Sequence, residues 1–169
     1  MNVQDELERI YRKHYLTVYR LAVAKCAGRT ENAKDVFGEV FFQLLRYLDK
    51  GGIFNDENHE KAWLIRVTIN CSKVILRTYN SGNSEELTPE RFSTMPENGN
   101  GEVYDAVMKL PQKYRVVIHL FYYEDYSIKE IAEILKIKEN TVKSQLSRGR
   151  KLLKDDLEKG GLDYGFEKI

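Results

Sequence analysis

The chain of 169 residues carries 27 Lys and Arg against 26 Asp and Glu, a formal net charge of +1, with 42% hydrophobic and 11% aromatic residues. That much apolar material supports packed cores in one medium domain or two small ones and excludes wholesale disorder. Nothing approaches the roughly 18 apolar residues of a membrane span, and the opening MNVQDELERI is charged where a signal peptide is apolar, so the expected location is the cytoplasm, with no membrane insertion. Cys26 and Cys71 lie inside apolar helical patterns without CxxC spacing and read as buried thiols.

A near-zero sum argues against a nucleic-acid binder, but the charge is patterned. Residues 1–80 hold 13 basic and 10 acidic groups, 81–101 hold 1 and 4, 102–154 hold 11 and 7, and 155–169 hold 2 and 5. From Lys136 to Lys154 seven basic residues face one acid, Glu139, a plausible footprint for phosphates. A solvated helix face is the competing reading, and the fold around the run decides between them.

The first helix is predicted from about Asp5 to Ala27, with Leu7, Ile10, Tyr11, Val18 and Ala22 on one stripe and Gly28 as its stop. A second begins near Thr30, where Ala33, Val36, Phe37, Val40, Phe41, Leu44, Leu45 and Leu48 recur at helical spacing. Gly51 and Gly52 open a polar loop through Asn58. A third helix follows from about His59 to Arg77, with Trp63 as its core anchor. Residues 80–101, with prolines, glycines, Asn and Ser and no apolar period, read as a flexible acidic linker.

Beyond it a short helix near Glu102 to Lys109 is closed by Leu110 and Pro111, and another runs from Pro111 to about Glu124 with Tyr114, Val117, Ile118 and Phe121 inward. Ser127 and Glu130 form a capping box that starts the next helix. Ile128, Ile131, Ala132 and Leu135 make its stripe, Ile137 sits in a tight turn, and Asn140 is placed to cap a last helix carrying Val142, Leu146, Gly149 and Leu153. This is helix, turn, helix. The small Ala132 and Gly149 are expected to let those two helices approach closely. The outer face of the last helix presents Lys143, Ser147, Arg150 and Lys154, with Ser144, Arg148 and Lys151 beside them, a cationic and hydrogen-bonding surface suited to the major groove. The fold class is therefore all-α: two small helical domains joined by a linker, the C-terminal one a helix-turn-helix. The domains are expected at 1–79 and 102–157, with a tail over 158–169.

Three stretches, AKDVFGEVFFQLL at 33–45, AWLIRVTIN at 62–70 and LPQKYRVVIHLFYYEDYSIKEIAEILKIKENTVKSQLSRGRKLL at 110–153, resemble regions 2.2, 2.3 to 2.4 and 4 of the extracytoplasmic-function (ECF) sigma factors, of the sigma-70 family of bacterial transcription initiation factors. The resemblance covers about Leu7 to Leu157. It implies a factor that binds core RNA polymerase and directs it to promoters through minus 35 and minus 10 elements.

On this resemblance, Asp35, Gly38, Glu39, Phe42, Gln43 and Arg46 of the second helix dock on the β′ clamp helices, with Phe42 as apolar anchor. Phe54, Asn55 and His59 stack on or hydrogen-bond a minus 10 base, and Arg66, Asn70, Lys73 and Arg77 line the single-strand path. At minus 35, Lys143, Ser144, Ser147 and Arg148 read bases, Thr141, Arg150, Lys151 and Lys154 hold phosphates, and Gln145 belongs to the same surface. The C-terminal domain sits near the β flap, and an anti-sigma factor is a further implied partner. Position 38 is Gly where the family usually has Gln, and the third helix ends SKVILRTYN where many members carry a run of arginines.

Two other classes compete. An enzyme fails on inventory, since the three His lie in separate elements and no HExxH, GxSxG or phosphate-cradling loop occurs; no metal or cofactor is expected. A helix-turn-helix regulator that binds an operator without joining polymerase explains residues 110–154 equally well, but leaves the second helix and the linker without a role.

Overall fold

The computed structural model describes residues 2–26, 29–79 and 101–160. The Gly28 stop, residues 80–100 of the expected linker and residues 161–169 of the expected tail lie outside the described residues; Gly101, read as linker, opens a helix, and residues 158 and 159, read as tail, still belong to the last helix. The chain divides into two compact units, Met1–Leu87 and Thr88–Ile169, and among the described residues both are purely helical.

The N-terminal unit packs three helices, α1 (Val3–Lys25), α2 (Thr30–Asp49) and α3 (Glu57–Tyr79). Asn2 starts α1 by accepting the Gln4 amide on its side chain at 3.1 Å. The helix ends at Lys25 with Cys26 as its cap, ahead of the expected glycine. On α2, Ala33, Val36, Val40, Leu44 and Leu48 are buried, while Phe37, Phe41 and Leu45 sit half-buried at the edge of the stripe. With Ile10, Val18 and Leu21 from α1 and Leu64, Ile65 and Ile69 from α3 they form one core. Each Val, Leu or Ile among them contributes about 1.5–3 kcal/mol when removed from water. Tyr11, read as part of the buried stripe, is instead exposed, its ring stacked on Tyr15 and edge-on to Phe37 and Phe41.

α3 begins two residues earlier than its apolar pattern suggests because Asp56 caps it, accepting the His59 amide at 2.8 Å. A polar cluster fastens this end to α1. His14 Nε2 lies 2.7 Å from Glu60 Oε1, and Arg9 donates to Glu60 Oε2 at 2.6 Å, with His14 and Glu60 both buried. Lys13 pairs with Glu57 at 2.8 Å. A carboxylate as enclosed as Glu60 is tolerated because both its oxygens are engaged.

The C-terminal unit contains α4 (Gly101–Lys109), α5 (Gln112–Ile118), α6 (Ile128–Leu135) and α7 (Glu139–Lys159). α5 does not continue to Glu124 as a regular α-helix: residues His119–Tyr123 form a π-helical turn, closed by the Glu124 amide donating to the His119 carbonyl at 3.3 Å. Arg115, buried, donates Nη1 to the Met108 and Leu110 carbonyls at 3.2 and 3.0 Å and so satisfies the end of α4. The capping box at Ser127 forms in full, with Ser127 Oγ and Glu130 Oε2 each accepting the other's amide.

Two expectations for the turn are corrected. Lys138, not Asn140, occupies the N-cap of α7, and Asn140 is an exposed residue of its first turn. Gly149 does serve a close approach, but to α5: a Cβ there would meet Ile118 Cγ1 at 3.1 Å and Tyr114 Cβ at 3.4 Å.

Candidate nucleic-acid interface

On α7 the apolar residues Val142, Leu146, Leu153 and Leu157, with Gly149, face inward. Helical periodicity then leaves Thr141, Lys143, Ser144, Ser147, Arg148, Lys151 and Lys154 exposed on the other side, with Gln145 half-buried between them. Arg150 departs from the expected free cation. Its Nε donates to Tyr122 Oη at 2.7 Å, and its guanidinium lies over the Phe121 and Tyr122 rings, 5.6 and 5.7 Å from their centroids. Phe121, read as facing inward, is half-buried beneath it. Arg148 acts on Tyr114: its hydrogen bond, assisted by Lys113, holds the phenol below the ordinary tyrosine range. Lys154 is loosely paired with Glu158 at 3.9 Å.

In the N-terminal unit a second surface runs along α3. His59, Trp63, Arg66, Asn70, Lys73 and Arg77 follow one another by three or four residues, so they share one stripe. That stripe lies opposite the buried Leu64, Thr68 and Ser72, and Arg66, Asn70, Lys73 and Arg77 are exposed along it. Trp63 therefore stands on the outward face and is not the core anchor expected of it. It is half-buried because the loop before α3 folds over it.

That loop is built by its glycines. Gly51 takes a φ of +82°, and the Gly51 and Gly52 amides donate back to the Leu48 and Tyr47 carbonyls, both at 2.9 Å, a Schellman closure of α2. Gly52 lies flat on Tyr47, where a Cβ would collide with the ring. Tyr47 Oη in turn donates to the Ile53 carbonyl at 2.8 Å. Phe54 packs between Tyr47, Trp63 and His59 with ring centroids 5.1–5.7 Å apart. The Asn55 amide donates to His59 Nδ1 at 3.2 Å, which leaves Nε2 as the proton-bearing nitrogen of the neutral ring. Phe54, Asn55 and His59 are thus brought together as the sequence suggests. Tyr47 and Trp63 complete the cluster, and the Gly51-Gly52 pair directly after an aromatic helix end was the available signal for them.

A third surface lies on the outer side of α2. Phe42 is 53% exposed, with the Arg46 guanidinium 5.9 Å from its ring centroid. Gln43 donates to Glu39 at 2.9 Å and to Cys71 Sγ at 3.5 Å. Asp35, Glu39 and Gln43 face Asn70, Cys71, Val74 and Ile75 of α3 across a groove of about 420 Å³. Gly38 is exposed with open space where a side chain would begin. Burial, with a smaller contribution from Glu39, pushes the Cys71 thiol up to about 11.

The helix-turn-helix thus presents a polar, cationic outer face of a kind suited to the DNA major groove, and the three-helix unit bears a basic stripe of its own. Residues 100–153 match the family described as Sigma-70, region 4. The chain is 31% identical over 166 residues to the ECF RNA polymerase sigma factor SigE of Mycolicibacterium smegmatis, covering 90% of this chain and 62% of that protein. It is 29% identical over 164 residues to the ECF RNA polymerase sigma factor SigW of Bacillus subtilis, covering 86% of this chain and 83% of that one. The fold is shared with the sigma factor RpoE of Bartonella quintana, solved in complex with the anti-sigma factor NepR, at a TM-score of 0.69 and 17% identity over 90% of this chain and 97% of that one. The chain is thus similar to ECF sigma factors over most of its own length and spans about three-fifths of the length of SigE. Among the described residues no helix is long and apolar enough to cross a membrane.

Proposed function

We propose that the chain acts as an alternative sigma factor: it binds core RNA polymerase and directs it to promoters carrying its own minus 35 and minus 10 elements. It is a specificity subunit and catalyses nothing itself, and its place of action is the cytoplasm. The observation that carries this reading is that the helix-turn-helix does not come alone. Sigma-factor relatives align over nine-tenths of the chain, so the three-helix unit is shared with them as well as the reading helix. An operator-binding regulator would need only the latter.

In this reading α7 enters the major groove at minus 35. Lys143, Ser144, Gln145, Ser147 and Arg148 face base edges, while Thr141, Lys151 and Lys154 neutralise phosphates. Arg150 braces the helix against the π-helical turn that follows α5. The α3 stripe of Arg66, Asn70, Lys73 and Arg77 carries the unpaired minus 10 strand, with the Phe54, Asn55 and His59 cluster at its head for a flipped base. The α2 surface of Asp35, Gly38, Glu39, Phe42, Gln43 and Arg46 docks on the β′ clamp helices, and the C-terminal unit sits near the β flap. An anti-sigma factor that covers these surfaces is the natural regulator.

Purified protein incubated with core polymerase and a promoter library randomised at minus 35 and minus 10 tests the proposal. Run-off transcripts that require both proteins support it. Tight duplex binding without core association would sink it in favour of an operator-binding regulator, and silence despite stable core binding would make the chain an occupant of polymerase that does not initiate.

A further inference from the structure

Arg148 and Arg150 of α7 each meet a tyrosine from the segment packed against that helix, with opposite results. Arg150 is drawn inward onto Tyr122 and is half-buried. Arg148 meets Tyr114 of α5 and yet remains exposed on the outer face. The backbone makes this contact possible. α5 and α7 come close at Gly149, where a Cβ would stand 3.4 Å from Tyr114 Cβ, so the missing side chain lets the buried tyrosine lie against α7 beside Arg148. The Tyr114 hydroxyl takes hydrogen bonds from Arg148 and from Lys113, whose ammonium is 5.0 Å from the ring centroid. A neutral phenol holds an arginine without cancelling its charge, as a carboxylate would, and leaves most of the five guanidinium donors for another acceptor. A long side chain that otherwise samples many rotamers is thus fixed before any ligand arrives.

We infer that Tyr114, which lies outside the helix-turn-helix, is a positioning residue for promoter recognition: its hydroxyl aims the Arg148 guanidinium at one base edge of the minus 35 element, and the base selected is guanine. This assignment rests on the sigma-factor reading and deepens it. Guanine follows from the chemistry of the fork, since its O6 and N7 offer paired acceptors in the major groove, whereas adenine and cytosine each present an amino donor there. An arginine tethered only by its own stem reaches phosphates as readily as bases, and phosphates carry no sequence. Tyr114 touches no base and acts through Arg148 alone.

Holoenzymes carrying Tyr114→Phe, Arg148→Ala or both are compared on a library-selected promoter and on variants with each minus 35 base pair substituted in turn. Tyr114→Phe keeps the ring on Gly149 and removes only the hydroxyl. It is expected to reduce discrimination at one G·C pair by about fivefold, with core affinity and the preference at every other position as in the wild type. Arg148→Ala is expected to lose the preference at that same pair, and adding Tyr114→Phe to it is expected to change nothing further. An unchanged base profile for Tyr114→Phe, a uniform weakening across all sequences, or a loss that adds to that of Arg148→Ala would overturn the assignment. Failure of the wild-type protein to bind core would overturn the sigma-factor reading instead, since the same base profiles can be taken on duplex without polymerase.

Discussion

At the scale of single residues, Cys71 shows how a side chain in the groove between α2 and α3 can be chemically quiet. Its thiol is buried, accepts from Gln43 and ionises only near pH 11 where an ordinary thiol does so at 9.0. A thiol that resists ionisation in the fold stabilises the native state fully below pH 9.0 and loses that contribution as the pH climbs toward 11. Melting midpoints followed across that window should therefore fall more steeply for the wild type than for Cys71→Ala, and parallel declines would refute the assignment. Alkylation of the native protein at neutral pH should be slow. Both cysteines were legible as buried thiols, because apolar periodicity places them inward. Trp63 and Arg150 were not legible, for a common reason. Periodicity reports which side of a helix a residue occupies. It says nothing of a loop that folds over an outward Trp63, or of a Tyr122 that reaches Arg150 from 28 residues away in sequence.

At the scale of elements, helix beginnings were the more readable ends. Ser127 with Glu130, and the stripe of α2 from Ala33 to Leu48, contain their whole signal within a few residues. Asp56 was overlooked as a cap because the polar stretch around it resembles loop on either side. The π-helical turn after Ile118 has no local signature. It accommodates an extra residue where buried His119 stacks on Tyr123 and stands 3.5 Å from Glu124. The end of α6 carries a cost that can be removed. Lys136 adopts φ +56°, a left-handed cap where a side chain is strained and glycine is not. Lys136→Gly should stabilise the protein by about 0.5–1 kcal/mol in denaturant titration, since relief of the strained cap exceeds the entropy gained by the unfolded chain. A loss of stability would mean that the lysine stem holds the turn in some other way.

At the scale of the whole molecule, the near-neutral sum of charges conceals surfaces of definite sign, and the distribution gives a measurable quantity. In holoenzyme bound to its selected promoter, Lys151→Ala should reduce the slope of log affinity against log salt by about one unit, one phosphate contact fewer. Arg150→Ala should leave that slope nearly unchanged and lower the melting temperature instead, because its guanidinium is spent on Tyr122 and Phe121. Equal effects of the two on the salt slope would return Arg150 to the phosphates.

The division of labour within α7 has a consequence for evolution. Val142, Leu146, Gly149 and Leu153 hold the helix in place, while Lys143, Ser144 and Ser147 stand in solvent. Substitutions at the second set leave the buried contacts intact, so on the proposed sigma-factor reading a duplicated copy of this gene can drift toward a new set of promoters without passing through an unstable intermediate.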